Sequence, residues 1–297
     1  MSYPSKILLF GEYSIILNSN ALSIPYPYFE GKLKFHEKRH FIDPELKAFG
    51  QFLKRIIQKN ELNCTIDVQS FLFDIGRGLT FDSTIPQGFG VGSSGALVAS
   101  VYERYVEEKT ENIEELKQIF SKLESHFHGS SSGVDPLISY LNCPIFLEKG
   151  KNVQKIEIPG KSEKSNLVMF LLNTHRARKT EPLVNLFLEK CKARDFTNLC
   201  NDVLIPTTNS CIENFLNQNT GMLLNSFKEL SEFQLKNFSQ MVPKLFHDVW
   251  CHGIDTDSFY LKLCGAGGGG FILGLGPENV LADDVFNEYD VKTILRI

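Results

Sequence analysis

The chain has 297 residues, which is enough for one or two compact domains with a substantial core. Its 35 acidic residues outnumber its 31 basic ones, which gives a net charge of -4. The chain therefore lacks the excess of positive charge that is typical of nucleic-acid-binding proteins. No apolar stretch approaches the roughly 20 residues of a membrane span, so we expect a cytoplasmic protein that binds neither nucleic acid nor a membrane.

Hydrophobic periodicity predicts both strands and helices in the first 130 residues. The predicted strands cover residues 5–10 and 64–73, and the predicted helices cover residues 44–62, 94–108 and 112–127. The last of these helices has two glutamates in its first turn, where negative charge suits the helix dipole.

The second half of the chain is predicted to contain short strands and a run of helices. The strands cover residues 144–148, 153–158, 167–172 and 259–263, and the helices cover residues 181–194, 206–217 and 221–237. Because strand and helix do not alternate strictly, this order favours an α+β fold over a regular array of βαβ units. The polar stretch 160–165 is the best linker candidate, and it divides the chain into domains 1–164 and 165–297.

A glycine-rich segment, residues 86–96, runs directly into an apolar helix-forming stretch. Its glycines let the backbone approach an anion closely, and the helix that follows presents unpaired N–H groups. Ser93 and Ser94 stand at the helix start, where a hydroxyl caps the helix or reaches a metal ion held by phosphates. The segment matches neither a P-loop nor the dinucleotide fingerprint. It indicates a phosphate-binding loop, with a glycine-rich strand-to-helix turn as the alternative.

Two carboxylates lie eleven positions apart, separated by a turn rich in serine and glycine. Glu124 is near the end of the predicted helix, Gly129 closes that helix, and Asp135 follows the turn. Phosphoryl transfer requires a metal ion, a group that orients and deprotonates the hydroxyl, and positive charge. The two carboxylates are candidates for such a site. In the alternative interpretation, Asp135 caps the next element and Glu124 is a solvated helix residue.

Three segments resemble, in the same order, the motifs of the GHMP kinase superfamily, which contains ATP-dependent kinases of small alcohols. They are residues 6–14, 86–96 and 262–271. Segment 124–135 is similar to the signature of the mevalonate kinases, except that Ser131 stands where proline is usual. The resemblance implies an α+β two-lobe fold, with an ATP-binding N-terminal lobe like domain 2 of ribosomal protein S5 and a ferredoxin-like C-terminal lobe.

The same resemblance implies roles for individual residues. Asp135 would be the base that accepts the proton of the substrate hydroxyl, and Lys6 would lie beside it. Ser94 and Glu124 would hold Mg²⁺. The residues implied in ATP binding are Pro86, Gly88, Gly90, Gly92, Ser93, Ser94, Gly95 and Ala96.

For the acceptor, Arg178 and Thr180 match residues that line the catalytic cleft in mevalonate kinases. A solvated basic turn is the alternative for this segment. Tyr13 departs from the family pattern by replacing a histidine, and its hydroxyl can replace a hydrogen bond but not a positive charge. The implied substrate residues are Glu12, Arg178, Thr180, Gly265, Ala266 and Gly267.

The activity implied by the resemblance is ATP- and Mg²⁺-dependent phosphorylation of mevalonate, a step of isoprenoid precursor synthesis. ATP and a small-molecule alcohol are the implied partners, and the oligomeric state stays open, with a homodimer as one option. Alternatives are a phosphomevalonate kinase or diphosphomevalonate decarboxylase of the same fold, or a non-catalytic regulatory relative. The presence of Lys6, Ser94, Glu124 and Asp135 together argues against the regulator, because a sensor needs a pocket but no base.

Overall fold

The computed structural model describes residues 1–37, 41–149, 151–160, 166–178 and 180–297. Residues 161–165 of the predicted linker lie outside the described residues, so the predicted boundary after residue 164 stays a prediction. The described chain forms two compact units. Unit 1 contains Met1–Ile7, Ile24–Pro86 and Val91–Cys143, and unit 2 contains Leu8–Ser23, Gln87–Gly90 and Pro144–Ile297.

The helices and strands are numbered along the chain. The strands are β1 (Tyr3–Phe10), β2 (Ala21–Phe35), β3 (Leu79–Ser83), β4 (Ile145–Glu148), β5 (Asn152–Lys155), β6 (Leu167–Asn173), β7 (Tyr260–Leu263), β8 (Phe271–Pro277) and β9 (Val291–Arg296). The helices are α1 (Pro44–Gln58), α2 (Val68–Gly76), α3 (Ser93–Tyr105), α4 (Ile113–His128), α5 (Val134–Leu141), α6 (Thr180–Lys190), α7 (Arg194–Leu199), α8 (Ile205–Leu216), α9 (Thr220–Asn237) and α10 (His247–Asp255).

The strands form two sheets. One has the order β1-β2-β4-β5, with β3 also paired to β2, and the other has the order β7-β8-β6-β9. Pairs β2–β3, β2–β4 and β4–β5, and every pair of the second sheet, are antiparallel. This combination of antiparallel strand pairs and separate helices confirms the predicted α+β class.

In unit 1, helix α3 is buried on almost every side and packs against α4 and α5. Such a helix lies inside the core rather than on the surface. Asn112 caps the start of α4 by accepting hydrogen bonds from the backbone N–H groups of Glu114 and Glu115, at 3.0 and 3.2 Å. Gly129, with φ of 72°, ends α4 as predicted. These three helices carry the candidate site residues Ser94, Glu124 and Asp135, whereas Lys6 lies on strand β1.

The predicted strand over residues 64–73 is wrong, because helix α2 occupies most of this segment. Its N-cap is Asp67, whose carboxylate accepts a hydrogen bond from the Ser70 N–H at 2.9 Å. Val68, Phe71 and Ile75 lie on one helical face and are buried. The N-cap and the burial of this face therefore favour a helix over the strand that the alternation in the sequence predicted.

Other predicted elements are confirmed with shifted ends, and several were not predicted. Helix α1 ends at Gln58 and α3 at Tyr105, a few residues before the predicted ends. The long strand β2, the strands β3, β8 and β9, and the helices α5, α7 and α10 had no prediction. Strand β2 carries glycine, proline and lysine along its length, so it lacks a regular apolar alternation.

In unit 2, strand β6 lies between β8 and β9 and is almost fully buried. The residue that follows it, Thr174, donates hydrogen bonds through both its N–H and its Oγ1 to the carbonyl of Gly270, at 3.0 and 2.8 Å. The chain that leaves β6 is thereby held against the glycine-rich segment before β8.

None of the helices in the described ranges combines the length and the apolar character that crossing a bilayer requires.

Asp67→Ala tests the helical assignment of α2. Loss of the cap leaves the Ser70 N–H unsatisfied, so we expect the free energy of unfolding to fall by about 1 kcal/mol in urea denaturation. The exposed neighbour Gln69 provides the control, since Gln69→Ala is expected to change stability by less than about 0.5 kcal/mol. Equal stability of the two variants would contradict the capping role.

Candidate active site

An ion pair between Lys6 and Asp135 lies in unit 1, with 3.1 Å between Lys6 Nζ and Asp135 Oδ1. Lys6 is buried in strand β1, where it is 8% exposed. Asp135 stands in the first turn of α5, and its side chain is 35% exposed. The structure therefore brings together the predicted base and the predicted cation, and leaves the carboxylate partly accessible.

Two glycines of the segment that precedes α3 allow this pair to form. A Cβ on Gly92 would lie 2.9 Å from Lys6 Cγ, and a Cβ on Gly95 would lie 2.8 Å from the carbonyl carbon of Asp135. The N–H of Lys6 also donates to the carbonyl of Val91 at 2.9 Å. The start of α3 therefore packs directly against both members of the ion pair. This packing accounts for both glycines, whether or not a phosphate also binds here.

Glu124 is buried at 4% exposure and receives one hydroxyl on each carboxylate oxygen. Ser94 Oγ donates to Oε1 at 3.0 Å, and Ser131 Oγ donates to Oε2 at 2.5 Å. His128 Nε2 lies 3.1 Å from Ser94 Oγ, so the histidine joins the same network. The interpretation of Glu124 as a solvated helix residue is therefore wrong. Ser131 was noted in the sequence only as a departure from the proline pattern, and its hydrogen bond was not predicted.

Burial raises the pKa of Glu124 to about 7, and the negative charge of Asp135 contributes in the same direction. The hydrogen bonds from Ser131 and Ser94 and the charge of Lys6 oppose this shift. A carboxylate in this state gains much from a cation, because a cation offsets the cost of burying its charge.

The donor set at Glu124 fits Mg²⁺. Among the described residues no group of three or more His, Cys, Asp or Glu side chains could hold a metal ion. Mg²⁺ needs no such group, since it is bound through one or two carboxylates together with substrate phosphates and water. The carboxylate of Glu124 and the hydroxyl of Ser94 are hard oxygen donors of this kind, so these two residues would hold the ion.

The start of α3 is the candidate phosphate site. Gly92, with φ of 82°, is its N-cap, and no side chain of the described chain caps this helix end. The first N–H groups of a helix have no partner within the helix, and they favour an anion there. Of the predicted ATP-binding residues, Pro86, Gly92, Ser93, Ser94, Gly95 and Ala96 belong to unit 1.

A second group of predicted residues lies in unit 2 around Arg178. The Arg178 N–H donates to the carbonyl of Gly88 at 2.9 Å, and Nη1 donates to the carbonyl of Gly267 at 3.0 Å. A Cβ on Gly90 or on Gly265 would lie 2.0 or 2.6 Å from Nη2 of the same guanidinium. Two glycine-rich segments therefore enclose this side chain, and for Arg178 the interpretation as a solvated turn is wrong.

The neighbours of Arg178 are less informative. His175, Arg176 and Ala177 are exposed, and Lys179 lies outside the described residues. Thr180 is the first residue of α6, but its side chain also lies outside the described part of the chain. Its predicted contact with a substrate stays a prediction.

Glu12 forms a fully buried ion pair with Lys262 in unit 2, and both side chains are at most 1% exposed. Lys262 Nζ also donates to the carbonyl of Leu263 at 2.7 Å, and the N–H of Gly265 donates to Glu12. Burial raises the pKa of Glu12, while the ammonium and this N–H oppose the shift. Lys262 was not predicted as a site residue, although a lysine in a predicted buried strand before a glycine-rich segment was a usable signal.

Tyr13 is buried in unit 2, and its hydroxyl donates to the carbonyl of Ala266 at 2.5 Å. Its ring packs on Phe187 and Phe238, with ring centroids 4.8 and 5.1 Å apart. Burial raises its pKa, so the phenol is neutral near pH 7. Tyr13 therefore supports the backbone of the segment that contains Gly265, Ala266 and Gly267, and it adds no charge there.

Comparisons with known proteins support the resemblance to the GHMP kinases that the sequence motifs indicated. Residues 51–142 match the family model described as the GHMP kinases N terminal domain. A mevalonate kinase of Pyrococcus furiosus is 24% identical over 330 residues, which span 100% of this chain and 92% of that protein. Four further curated relatives, 22% to 25% identical, are also named mevalonate kinase.

Solved structures share the fold at low identity. The L. major mevalonate kinase in complex with R-mevalonate is 13% identical with a TM-score of 0.64, covering 98% of this chain and 94% of that chain. The Streptococcus pneumoniae phosphomevalonate kinase in complex with phosphomevalonate and AMPPNP is 13% identical with a TM-score of 0.66, covering 99% of each. The predicted resemblance to the GHMP kinases and the predicted fold are confirmed.

Glu124→Gln tests the raised pKa of the buried carboxylate. The folded-state pKa of about 7 exceeds the ordinary value of 4.5, so the proton-linked stability is fully present below about pH 4.5 and is lost as the pH rises through about 7. Without divalent cations, the stability of the variant relative to the native protein should therefore increase between about pH 5 and pH 8, by on the order of 1–3 kcal/mol.

Urea denaturation in a metal chelator at several pH values measures this difference. Glu107→Gln serves as the control, because Glu107 is an exposed carboxylate. A pH-independent difference for Glu124→Gln would show that the folded state does not shift the pKa of this residue.

Proposed function

We propose that this chain, which carries the N-terminal domain and the fold of the GHMP kinases, transfers the γ-phosphoryl group of ATP to the primary alcohol of mevalonate. The name shared by its curated relatives supports this acceptor. The observation that carries the proposal is the ion pair between Lys6 and Asp135 at the start of the glycine-capped helix α3. A binding protein has no need of a base held in this way.

In the proposed reaction, the Asp135 carboxylate accepts the proton of the attacking hydroxyl. Lys6 Nζ lies 3.1 Å from Asp135 Oδ1 and orients the carboxylate through this ion pair. The ammonium also supplies positive charge for the phosphoryl group during transfer. The burial of Lys6 strengthens both effects, because a buried charge is poorly screened by water.

Glu124 and Ser94 would hold Mg²⁺, which, when bound, neutralises charge on the phosphates. The N–H groups at the start of α3 would bind the phosphates of ATP. We propose that Pro86, the glycines and the serines of segment 86–96 are the ATP-binding residues. Because Ser94 contacts Glu124 and also lies in the first turn of α3, one residue would link the metal ion to the phosphate site.

For the acceptor, we propose that the Arg178 guanidinium binds the carboxylate of mevalonate. A guanidinium has five N–H donors in a planar fork that matches a carboxylate. Gly265 and Gly267 lie beside this group in one segment of the chain, and we propose that Ala266 between them belongs to the same acceptor site. Glu12 is buried and paired with Lys262, so its proposed part is to hold Gly265 in place rather than to touch the acceptor. A cytoplasmic location is proposed with this function.

Asp135→Asn tests the base. The amide keeps the shape but accepts no proton, so we expect kcat to fall about 10²–10⁴-fold while the affinity for ATP stays within about twofold. A coupled assay of ADP release with mevalonate, together with calorimetric titration of an ATP analogue, measures both quantities. Asp82→Asn, which changes an exposed ion pair with Lys34, is the control. Near-native kcat for Asp135→Asn would exclude the proposed base.

Arg178→Lys tests the acceptor. Lysine keeps the charge but loses the planar fork, so KM for mevalonate should rise several-fold to tens-fold, in line with roughly 1–3 kcal/mol for a charge-assisted hydrogen bond. KM for ATP should change little. The native protein is first assayed with mevalonate, phosphomevalonate, diphosphomevalonate, homoserine and galactose, so that the acceptor is established independently.

The exposed neighbour Arg176 provides the matched control, since Arg176→Lys makes the same change in an exposed side chain. Turnover of another acceptor in place of mevalonate would refute the proposed substrate but not phosphoryl transfer. An unchanged KM for mevalonate in Arg178→Lys would exclude the guanidinium from acceptor binding.

A further inference from the structure

Ser131 occupies the turn between α4 and α5 and is bonded in three directions. Its hydroxyl donates to Glu124 Oε2 at 2.5 Å and accepts from the Gly133 N–H at 3.0 Å. Its carbonyl accepts a hydrogen bond from Ser121 Oγ at 2.5 Å. The side chain is therefore fixed at both its donor and its acceptor, and its backbone is tied to helix α4.

This arrangement determines how the Glu124 carboxylate is oriented. Ser94 donates to one oxygen and Ser131 to the other, so the two hydroxyls set the plane of the carboxylate. The terminal torsion of a glutamate is otherwise broad, and the burial of this carboxylate makes the loss of a donor costly. Ser94 is itself a proposed Mg²⁺ ligand, whereas Ser131 is proposed only as a hydrogen-bond donor to Glu124.

The same hydroxyl connects Glu124 to the helix that carries the base. The Ser131 hydroxyl accepts a hydrogen bond from the N–H of Gly133. Gly133 is the N-cap of α5, and Asp135 is in the first turn of that helix. Glu124 is near the end of α4. One side chain thus links the residue proposed for the metal ion to the start of the helix that presents the proposed base.

We propose that Ser131 is a positioning residue for divalent-cation binding, which fixes the Glu124 carboxylate and couples it to the start of α5. The inference rests on the proposed function in that the cation is the Mg²⁺ of a Mg²⁺·ATP complex. Residues that orient a metal ligand typically change metal affinity about 10–100-fold when they are mutated. Mutation of a residue that only stabilises the turn would change the stability of the protein and leave its cation affinity unaltered.

Direct binding of Mn²⁺, a spectroscopic substitute for Mg²⁺, tests the proposal without any acceptor. Free Mn²⁺ is measured by electron paramagnetic resonance in the presence of a non-hydrolysable ATP analogue. We expect Ser131→Ala to raise the Mn²⁺ dissociation constant about 10-fold, and Ser131→Thr, which keeps the hydroxyl, to restore affinity to within about threefold of native. Ser130→Ala, an exposed neighbour in the same turn, is expected to bind Mn²⁺ like the native protein.

Melting temperatures of all variants are measured alongside binding. If Ser131→Ala does not fold, Ser131→Cys replaces it, since a thiol is only a weak donor. Native Mn²⁺ affinity in Ser131→Ala or Ser131→Cys would overturn the proposal, and so would equal weakening in Ser131→Thr and in the variant without a hydroxyl. Loss of Mn²⁺ affinity in a protein that phosphorylates no alcohol would contradict the proposed function but support the role of Ser131.

Discussion

The close approach of helix α3 to Lys6 and Asp135 is the constraint on which the candidate site of unit 1 depends. It requires residues without a Cβ at positions 92 and 95, because a methyl group at either would overlap Lys6 or the backbone of Asp135. The same approach brings Ser94 within hydrogen-bond distance of Glu124. The ion pair, the metal-ligand candidates and the open helix start are therefore consequences of one packing arrangement.

Two buried carboxylates show how differently the fold treats negative charge. Glu124 has two neutral hydroxyl donors and a pKa raised to about 7, so its charge is only partly compensated. Burial raises the pKa of Glu12 as well, but the ammonium of Lys262 and an N–H of Gly265 oppose that shift, so its counter-charge comes from within the protein. The first carboxylate is suited to respond to a cation, whereas the second is an internal anchor whose removal would leave a lysine buried without its counter-ion.

Much of the fold class and of the candidate site could be predicted because the signals are local. Helical periodicity, the cap at Asn112 and the order of glycine-rich segments are read directly from neighbouring residues. Lys6, Ser94, Glu124 and Asp135 were predicted because they occupy matching positions in segments that resemble the motifs of the GHMP kinases. Helix α2 shows the limit of such reasoning, since its segment alternates like a strand and its helical state is stabilised by a cap and by buried side chains.

The sequence by itself determined the glycine-rich segments and predicted the α+β class, and its resemblance to the GHMP kinases indicated candidate residues for phosphoryl transfer. Only the tertiary structure decided their partners: Glu12 with Lys262, 250 positions away, and Ser131 with Glu124. The tertiary structure also places Gly90 and Gly265 beside the guanidinium of Arg178, a contact that the sequence did not indicate. The physical reason is that contacts between distant residues depend on how strands and helices pack, and spacing along the chain carries no record of that packing.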